Sequence, residues 1–416
     1  MEPHSSSPTL PSLADLVAAL RDELIETRRD IHAHPETSRH EVRTTELVAA
    51  RLEKEGIAVQ ELPRSGLLAE VGDLSPSAPV VALRADLDAL PVDDETPDPW
   101  RSTVGGVAHA CGHDVHTAAL LGAGLALHER HLASPLPGRV RLVFQPAEEV
   151  MPGGAVDLVA LGVLDRVHSI FAVHCDPSLD VGQVGLREGA ITAASDSVTV
   201  RLRGRGGHTS RPHLTQDLTY ALAKVVTDVP AALSRRLDPR AGASLVWGSV
   251  HAGSAKNVIP SLGEAAGTLR LLDIRAWDQA QRIVDEVVRA VVAPYGVTAE
   301  IEHLRGVPPV VNAPEAARHL ATAAASVVGP AGVVGTEQSL GGEDFSWYLE
   351  SVPGAMARLG TRTPGGPTYD LHQGNLRVDD GAVAIGAQLL AQVALDALAA
   401  LAPNASLETP ERDGNS

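Results

Sequence analysis

Residues 110–116 read ACGHDVH, and this stretch constrains the chain most, because it places a thiol, two imidazoles and a carboxylate within six residues. Cys111 and His113 alternate as metal ligands do on an extended or turning segment. The apolar run over residues 117–127 predicts a buried helix, so we expect the pair on the turn before it. Sulfur and imidazole donors suit Zn²⁺ or a neighbouring divalent transition metal. A structural thiol beside a hydrogen-bonded histidine is the alternative that this motif alone leaves open.

The length of the chain, 416 residues, exceeds what one hydrophobic core usually serves and predicts two domains of α/β class. From about residue 191 the alternation of apolar and polar residues becomes regular. Strands and helices then follow in the order βαββαβ, which predicts a ferredoxin-like module over residues 191–304. We expect this module to be inserted into a catalytic domain made of residues 13–190 and 305–402. Residues 1–12 and 403–416 are expected to be disordered ends.

Several local elements are predicted from periodicity and turn residues. Helices are expected over residues 13–31, 41–56, 117–127, 217–237, 276–293 and 313–328, with a last helix ending near residue 402. Strands are expected over residues 57–62, 67–71, 80–83, 169–174, 244–251, 265–272 and 298–303. Pro230 is expected to kink or divide its helix, because proline lacks the backbone N–H that a helix interior uses.

Charge and composition exclude several classes of function. The net charge is −18 and no basic cluster occurs, which argues against a nucleic-acid partner. No uninterrupted apolar run reaches the ~18 residues of a membrane span. The first residues lack the basic and apolar regions of a signal peptide. With two cysteines, a disulfide framework is not expected, so we predict a cytoplasmic protein.

Further donors follow apolar strands elsewhere in the chain. Glu148 and Glu149 come directly after a strand that Pro146 ends, and His174 closes the next predicted strand. Neighbouring residues on extended backbone point to opposite sides, so one glutamate can bind a metal while the other serves as a general base. A solvated Glu-Glu turn is the alternative. His372 is a further donor, far away in sequence, and Cys175 is expected to be a buried apolar residue.

Other polar residues near these motifs are assigned supporting roles. Asp86 and Asp88 lie two apart and are expected to hold a ligand imidazole in one tautomer, with exposed turn carboxylates as the alternative. Glu343 and Asp344 in GGEDF are candidates for support of the ligands, although spacing alone assigns them no role. The structural interpretation is favoured for four histidines: His32, His34, His116 and His213.

Seven motifs between about residues 20 and 400 carry a family resemblance: RRDIHAHPE, RADLDALP, HACGHDVH, QPAEE followed by GGA, RGRGGHTSRPH, NVIP followed by GTLR, and GGEDF. With them the chain resembles the amidohydrolase branch of the metallopeptidase family that contains aminoacylase and carboxypeptidase G. That branch includes the hippurate hydrolases and the plant indole-acetyl-amino-acid hydrolases. The resemblance implies a mixed central sheet flanked by helices, with an inserted domain that serves in dimerisation and as a lid.

The resemblance also implies roles for individual residues. Two divalent ions (zinc, manganese, cobalt or nickel) would bind five ligands: Cys111, His113, Glu149, His174 and His372. Glu148 would be the catalytic base that activates water. The inserted module would form a homodimer and lend His208 and Asn257 to the active site of the other subunit, where His208 would stabilise the oxyanion. Arg270 matches the arginine that binds the substrate carboxylate.

We therefore expect an enzyme that hydrolyses small N-acyl amino acids to a carboxylic acid and a free amino acid. Three Phe, four Trp and four Tyr leave few aromatic rings for a stacking pocket, which favours aliphatic acyl groups. A dipeptidase or a carbamoyl-type hydrolase on the same metal centre is the alternative. A non-enzymatic metal carrier is a further alternative, and the presence of Glu148 argues against it.

Overall fold

The computed structural model describes residues 10–401. The strands are β1 (Val59–Glu61), β2 (Leu67–Gly72), β3 (Val80–Asp86), β4 (Arg139–Gln145), β5 (Val167–Asp180), β6 (Val184–Leu186), β7 (Gly189–Ala190), β8 (Ala194–Arg203), β9 (Gly207–His208), β10 (Ser244–Ala252), β11 (Val258–Ile259), β12 (Leu262–Leu271), β13 (Thr298–Val307), β14 (Val311–Asn312), β15 (Val333–Gly335) and β16 (Gly354–Arg362). The α-helices are α1 (Leu13–Ala33), α2 (Val42–Lys54), α3 (His113–Ala133), α4 (Gly154–Ala160), α5 (Leu218–Arg236), α6 (Ile274–Val292), α7 (Pro314–Val328), α8 (Ser346–Leu349) and α9 (Gly381–Leu401).

Eight strands form the large sheet, in the order β1-β2-β4-β3-β5-β16-β6-β15. Its centre, from β4 through β3 and β5 to β16, is parallel. The pairs β1–β2, β2–β4 and β16–β6 are antiparallel, and β15 pairs parallel with β6 at the other edge. Every residue of β3 is buried, as expected of a central strand covered on both faces. The predicted mixed central sheet flanked by helices is thereby confirmed.

The helix α9 shows how a core helix can resemble a membrane span. It is 21 residues long, and one 18-residue window has a mean hydropathy of 1.7, which is enough by length and composition to cross a membrane. Gln388, Gln392 and Asp396 interrupt it, so the sequence holds no uninterrupted apolar run of that length. It packs against α1, α3 and α7, and 61% of the window is buried. A helix that is apolar all round needs such a covered position.

A second sheet holds the strands of residues 194–307. Its order is β10-β12-β8-β13, fully antiparallel, and α5 and α6 pack with it around a separate apolar cluster. Along the chain these elements follow the predicted order βαββαβ. The short pair β7 and β14 lies where the chain enters and leaves this region.

Four local expectations are corrected. The strand β5 continues beyond His174 to Asp180, and β3 continues to Asp86, because both keep pairing with neighbouring strands. The helix α3 begins at His113, so this residue lies on the helix and not on the turn before it. Pro230 does not divide its helix: α5 continues through it, since packing against α6, β10 and β12 holds it. The predicted disordered ends lie outside the described residues, apart from positions 10–12.

Candidate metal centre

The turn that begins α3 places the first two donors. Gly112, between Cys111 and His113, adopts the left-handed conformation with φ 86° and precedes the helix as its N-cap. A Cβ at this position would lie 2.8 Å from the Sγ of Cys175, so the close approach also requires glycine. The turn therefore brings Cys111 and His113 to the edge of the sheet next to β5.

The imidazole of His113 is held in one tautomer. Its Nδ1–H donates to the backbone carbonyl of Asp88 at 2.9 Å, which leaves the lone pair on Nε2. This Nε2 is buried and has no hydrogen-bond partner among residues 10–401. The Oε1 of Glu149 is likewise buried without a hydrogen bond and lies 3.8 Å from it. Two unpaired acceptors facing each other in a buried site fit a bound cation.

The other predicted ligands complete this cluster. The Sγ of Cys111 lies 3.6 Å from the Nε2 of His174, and the Nε2 of His372 lies 3.4 Å from the Oε1 of Glu149. Zinc bonds of about 2.0–2.3 Å in tetrahedral geometry place neighbouring ligand atoms roughly 3.3–3.8 Å apart. The five side chains form overlapping groups that share Cys111 and Glu149. The donor chemistry and the spacing therefore both fit divalent metal ions.

Backbone contacts fix the two ligands that come from distant strands and loops. The Nδ1–H of His174 donates to the carbonyl of Cys175 at 2.8 Å, which leaves its Nε2 for the site. His372 has φ 63°, unusual for a residue with a side chain, and its N–H donates to the carbonyl of Ala110 at 2.7 Å. Strain of this kind gathers at functional sites, where surrounding contacts enforce it.

The second histidine of the motif, His116, is structural, as predicted. Its Nδ1–H donates to Asp86 at 2.6 Å, and its Nε2 accepts the N–H of Cys175 at 2.8 Å. Both ring nitrogens are occupied, so His116 has no lone pair for a metal. The expectation for Asp86 is corrected accordingly: it orients His116, which is not a ligand. Cys175 is buried in the apolar core, as predicted.

Asp88 supports the ligands as predicted, although in a different way. Its carbonyl orients His113, while its carboxylate Oδ1 stays 3.4 Å from the same Nδ1. The Oδ2 accepts the N–H of Glu149 at 2.9 Å and the hydroxyl of Ser38 at 2.6 Å. Asp88 therefore contacts both the backbone of Glu149 and the ring of His113.

Glu148 lies between the ligands and the GGEDF loop, since one of its carboxylate oxygens lies within 4.8 Å of donor atoms of His113 and Glu149. Its carboxylate groups with those of Glu343 and Asp344, and the N–H of Asp344 approaches its Oε1 at 3.4 Å. Burial, followed by the charges of Glu343 and Glu149, raises the pKa of Glu148 well above its usual value. The structure therefore gives the GGEDF carboxylates a position beside the expected base, which spacing alone did not.

Arg84 is a residue of the site that the sequence reading missed. It is buried in β3 and forms ion pairs with Asp86 at 2.6 Å, Asp344 at 2.8 Å and Glu343 at 3.1 Å. Its Nε–H also donates to Gln145 at 2.8 Å. The guanidinium therefore holds together carboxylates that would otherwise repel each other. An arginine within the otherwise apolar run VVALRA was the signal that could have identified it.

Without a metal, the surroundings of Cys111 and His113 favour the protonated form of both side chains. Burial raises the pKa of the Cys111 thiol well above its usual value, and the nearby Glu149 adds to this. Burial opposes the charged form of His113, but Asp86, Cys111 and Asp88 outweigh it and raise the pKa. A divalent cation would reverse both effects, because it stabilises the thiolate and the neutral imidazole that coordinate it.

The three remaining predicted residues lie apart from the five ligands within one chain. His208 pairs with Val258 between β9 and β11, and Asn257 accepts the N–H of Thr209 at 3.1 Å, so His208 and Asn257 are neighbours on one exposed ribbon. The hydrogen bonds of the His208 ring go to Ser210 in its own loop. Arg270 on β12 donates to the carbonyl of Leu340, just before GGEDF.

Comparison with known proteins decides the family. The sequence profile of Peptidase family M20/M25/M40 matches residues 82–396. The chain belongs to this family. The N-acetylcysteine deacetylase of Bacillus subtilis (strain 168) is 36% identical over 379 residues, which cover 91% of this chain and 97% of that protein.

A solved M20 structure agrees with the fold as well. The YXEP protein of Bacillus subtilis, a dinuclear metal binding peptidase from the M20 family, superposes with a TM-score of 0.80 at 34% identity, over 92% of this chain and 99% of that one. A Rhodococcus jostii (strain RHA1) protein that carries the name glutamate–cysteine ligase 2-3 is 49% identical over 369 residues, or 88% of this chain. This chain therefore corresponds to 46% of that protein, about half of its length.

The family and these relatives confirm the predicted class of enzyme. This M20 protein is a hydrolase of amide bonds that depends on divalent metal ions. The identity of the metal, the substrate, the roles of individual residues and the oligomeric state stay predictions.

Proposed function

We propose that the protein removes the acyl group from N-acyl amino acids, releasing a carboxylic acid and a free amino acid. The observation that carries this proposal is the pair of unpaired acceptors, His113 Nε2 and Glu149 Oε1, within a cluster of five metal donors. The deacetylase and amidohydrolase names of relatives that match over nearly their whole length support the same chemistry.

The five donors would hold two divalent ions, with zinc, manganese, cobalt and nickel all compatible with a mixed sulfur, nitrogen and oxygen set. Such ions, when bound, polarise an amide carbonyl and acidify water. The protein supplies the geometry: Asp88 and the carbonyl of Cys175 aim two imidazoles, and the strained loop at His372 brings in the last ligand.

Glu148 is the residue that we assign to proton transfer. It would take a proton from the attacking water and return it to the leaving amine. Its carboxylate is half-buried, does not belong to the Cys111 groups, and faces Glu343 and Asp344, which raise its affinity for a proton. Glu149, one residue further, points at His113 and His372 and is the metal ligand of the pair.

We further propose that residues 191–304 form a domain that joins two subunits into a homodimer. The strand β10 is an edge of its sheet and carries two exposed apolar residues, Val246 and Val250. An unpaired edge strand with exposed apolar residues favours association with a second copy. His208 and Asn257 on the neighbouring ribbon would then act on substrate in the other subunit, while Arg270 would bind the substrate carboxylate.

Both cysteines are free, which supports a cytoplasmic location.

A substrate panel tests the proposal. Purified protein would be assayed with N-acetyl, longer aliphatic, benzoyl and indole-acetyl conjugates of one amino acid, together with a dipeptide and an N-carbamoyl amino acid. We expect turnover of the acyl conjugates, with aliphatic groups preferred. Turnover of only the dipeptide or the carbamoyl compound would replace the proposed substrate class. No turnover by metal-loaded protein would favour a metal-binding protein without this activity.

A further inference from the structure

Arg358 is a second buried arginine beside the metal centre, and the roles assigned so far do not use it. It lies on β16, where it pairs in register with His174 of β5 on one side and with Gly185 of β6 on the other. Residues in register on neighbouring strands, about 4.8 Å apart, project from the same face of the sheet. The arginine therefore stands next to the imidazole of a proposed metal ligand.

The guanidinium of Arg358 has no protein partner among residues 10–401. Arg358 is 7% exposed, yet no carboxylate of that range lies within 4 Å of its guanidinium, which donates no hydrogen bond to a side chain or carbonyl there. Arg84, which is also buried, has three carboxylates, and Arg362 on the same strand pairs with Asp180 at 2.6 Å. A buried charge without a counter-ion is costly and calls for a ligand of opposite charge.

Nearby carboxylates do not fill this role. Asp176 is two residues beyond His174, and its Oδ1 accepts from the N–H and the hydroxyl of Ser178, at 2.9 and 2.5 Å. Burial lowers the pKa of Arg358, and this effect exceeds the opposing effects of Asp176 and Glu343. The guanidinium thus remains under-compensated within the protein.

An open cleft adjoins Arg358. It has a volume of about 670 Å³, and its walls include Gln338, Tyr369, Gln373 and Asn375, on either side of the loop that carries His372. A Cβ at position 185 would lie 3.1 Å from the Cβ of Arg358, so glycine there keeps the flank of the arginine open. The cleft provides space for the anionic part of a small substrate beside this arginine, and Leu371 and Gln373 in its wall are the neighbours of His372 in sequence.

We propose that Arg358 binds a carboxylate of the substrate and makes the enzyme select anionic amides. The planar fork of a guanidinium matches a carboxylate with two parallel hydrogen bonds. The inference rests on the proposed amidohydrolase function and specifies its substrate class. An N-acyl amino acid carries a carboxylate three bonds from the scissile carbonyl carbon, where Arg358 would bind it together with Arg270. A dicarboxylic acyl group carries a carboxylate on the opposite side, where Arg358 would bind it alone. Both carboxylates would bind the guanidinium in the same way, and the choice of substrates in the kinetic test distinguishes them.

The kinetic test compares three substrates: N-butyryl-alanine, its neutral amide N-butyryl-alaninamide, and N-succinyl-alaninamide, which carries the carboxylate on the acyl side alone. For Arg358→Gln we expect kcat/KM to fall ~10–100-fold for the substrate whose carboxylate binds, as expected for loss of a charged hydrogen bond. The neutral amide should change little, and Arg358→Lys should recover part of the loss. Arg362→Gln, on the same strand, is the matched control. An equal loss on the neutral amide, or no loss on either anion, would overturn the inference.

A binding test separates this inference from the proposed function. Metal-free protein would be titrated calorimetrically with succinate and with succinamide. We expect succinate to bind the wild type and not Arg358→Gln, and succinamide to bind neither. If no substrate is turned over but succinate binding depends on Arg358, the proposed amidohydrolase function is wrong and the role of Arg358 stands. If anionic amides are turned over equally well without Arg358, or if succinate does not bind, the proposed role of Arg358 is wrong.

Thermal unfolding of the metal-free protein distinguishes a ligand-binding arginine from a structural one. Removing an unpaired buried charge should leave Tm unchanged or raise it, whereas Arg84→Gln should lower it by leaving three carboxylates unpaired. A loss of Tm in Arg358→Gln as large as that in Arg84→Gln would assign Arg358 to the structure and overturn the inference.

Discussion

The Nδ1 of His113 lies 2.9 Å from the carbonyl oxygen of Asp88, and this contact determines which ring nitrogen faces the metal centre. A carbonyl can only accept, so the proton is on Nδ1 and the lone pair on Nε2 points at Glu149. A backbone group therefore sets the tautomer, and no side-chain substitution at position 88 removes that carbonyl.

The first prediction concerns metal content. Purified protein should hold about two divalent ions per subunit, and chelation should abolish activity until metal is restored, because the unpaired donors have no other function. Cys111→Ser should lose metal, since Cys111 belongs to two of the donor groups. His116→Asn is the control and should retain it. Elemental analysis measures the metal content of both variants. An active preparation of the wild type without metal would contradict the assignment of the five ligands.

The second prediction separates the two adjacent glutamates. Glu148→Gln should keep the metals while kcat falls by at least ~10²-fold, the usual contribution of a positioned base. Glu149→Gln should instead lose metal, because its carboxylate faces His113 and His372. Metal analysis and kcat measured on the same preparations decide the matter. Swapped phenotypes would reverse the assignment of base and ligand.

The third prediction concerns His208 and the proposed dimer. His208→Ala should lower kcat by ~10²–10³-fold, the usual loss for one oxyanion donor, without altering metal content or dimerisation. Inactive His208→Ala and Glu148→Gln subunits would be mixed and allowed to exchange. If His208 acts across the interface, each mixed dimer has one intact site, and activity should return toward half of the wild-type value. No recovery after exchange would place His208 in its own subunit's site.

The fourth prediction is a pH dependence of stability that arises from His32. This buried imidazole contacts Asp114 at 2.8 Å and Asp94 at 3.4 Å. Burial opposes its charge, but these carboxylates outweigh burial and raise its pKa above the ordinary 6.5. A raised pKa means that the stabilisation is complete below pH 6.5 and is lost as the pH rises through the folded-state pKa. Each pKa unit is worth about 1.4 kcal/mol.

Denaturant unfolding of metal-free protein checks this sign. The difference in unfolding free energy between wild type and His32→Gln should be larger at pH 6 than at pH 9. His40→Gln, which removes an exposed imidazole, is the control. A difference that grows with pH would show that His32 is buried in its neutral form.

Much of the fold could be predicted because apolar periodicity survives in the sequence. The order βαββαβ of residues 194–307 and the buried strand β3 follow directly from it. The end of β5 could not be predicted, since CDPSLD has the composition of a turn and becomes a strand through its pairing with β16. Pro230 likewise suggests a break that packing prevents.

The sequence by itself determined the chemical types at the metal centre, because thiol, imidazole and carboxylate donors are properties of residues. Only the tertiary structure decided which of them have free lone pairs. His113 and His116 lie on the same turn of α3 and are both buried. The N–H of Cys175 occupies the Nε2 of His116, whereas nothing among the described residues occupies that of His113. Arg84 and Arg358 differ in the same way: each is a buried arginine in a largely apolar strand, and the distant GGEDF loop supplies carboxylates to Arg84 alone. A hydrogen bond depends on the position of its partner, and residues far apart in sequence meet only through the fold.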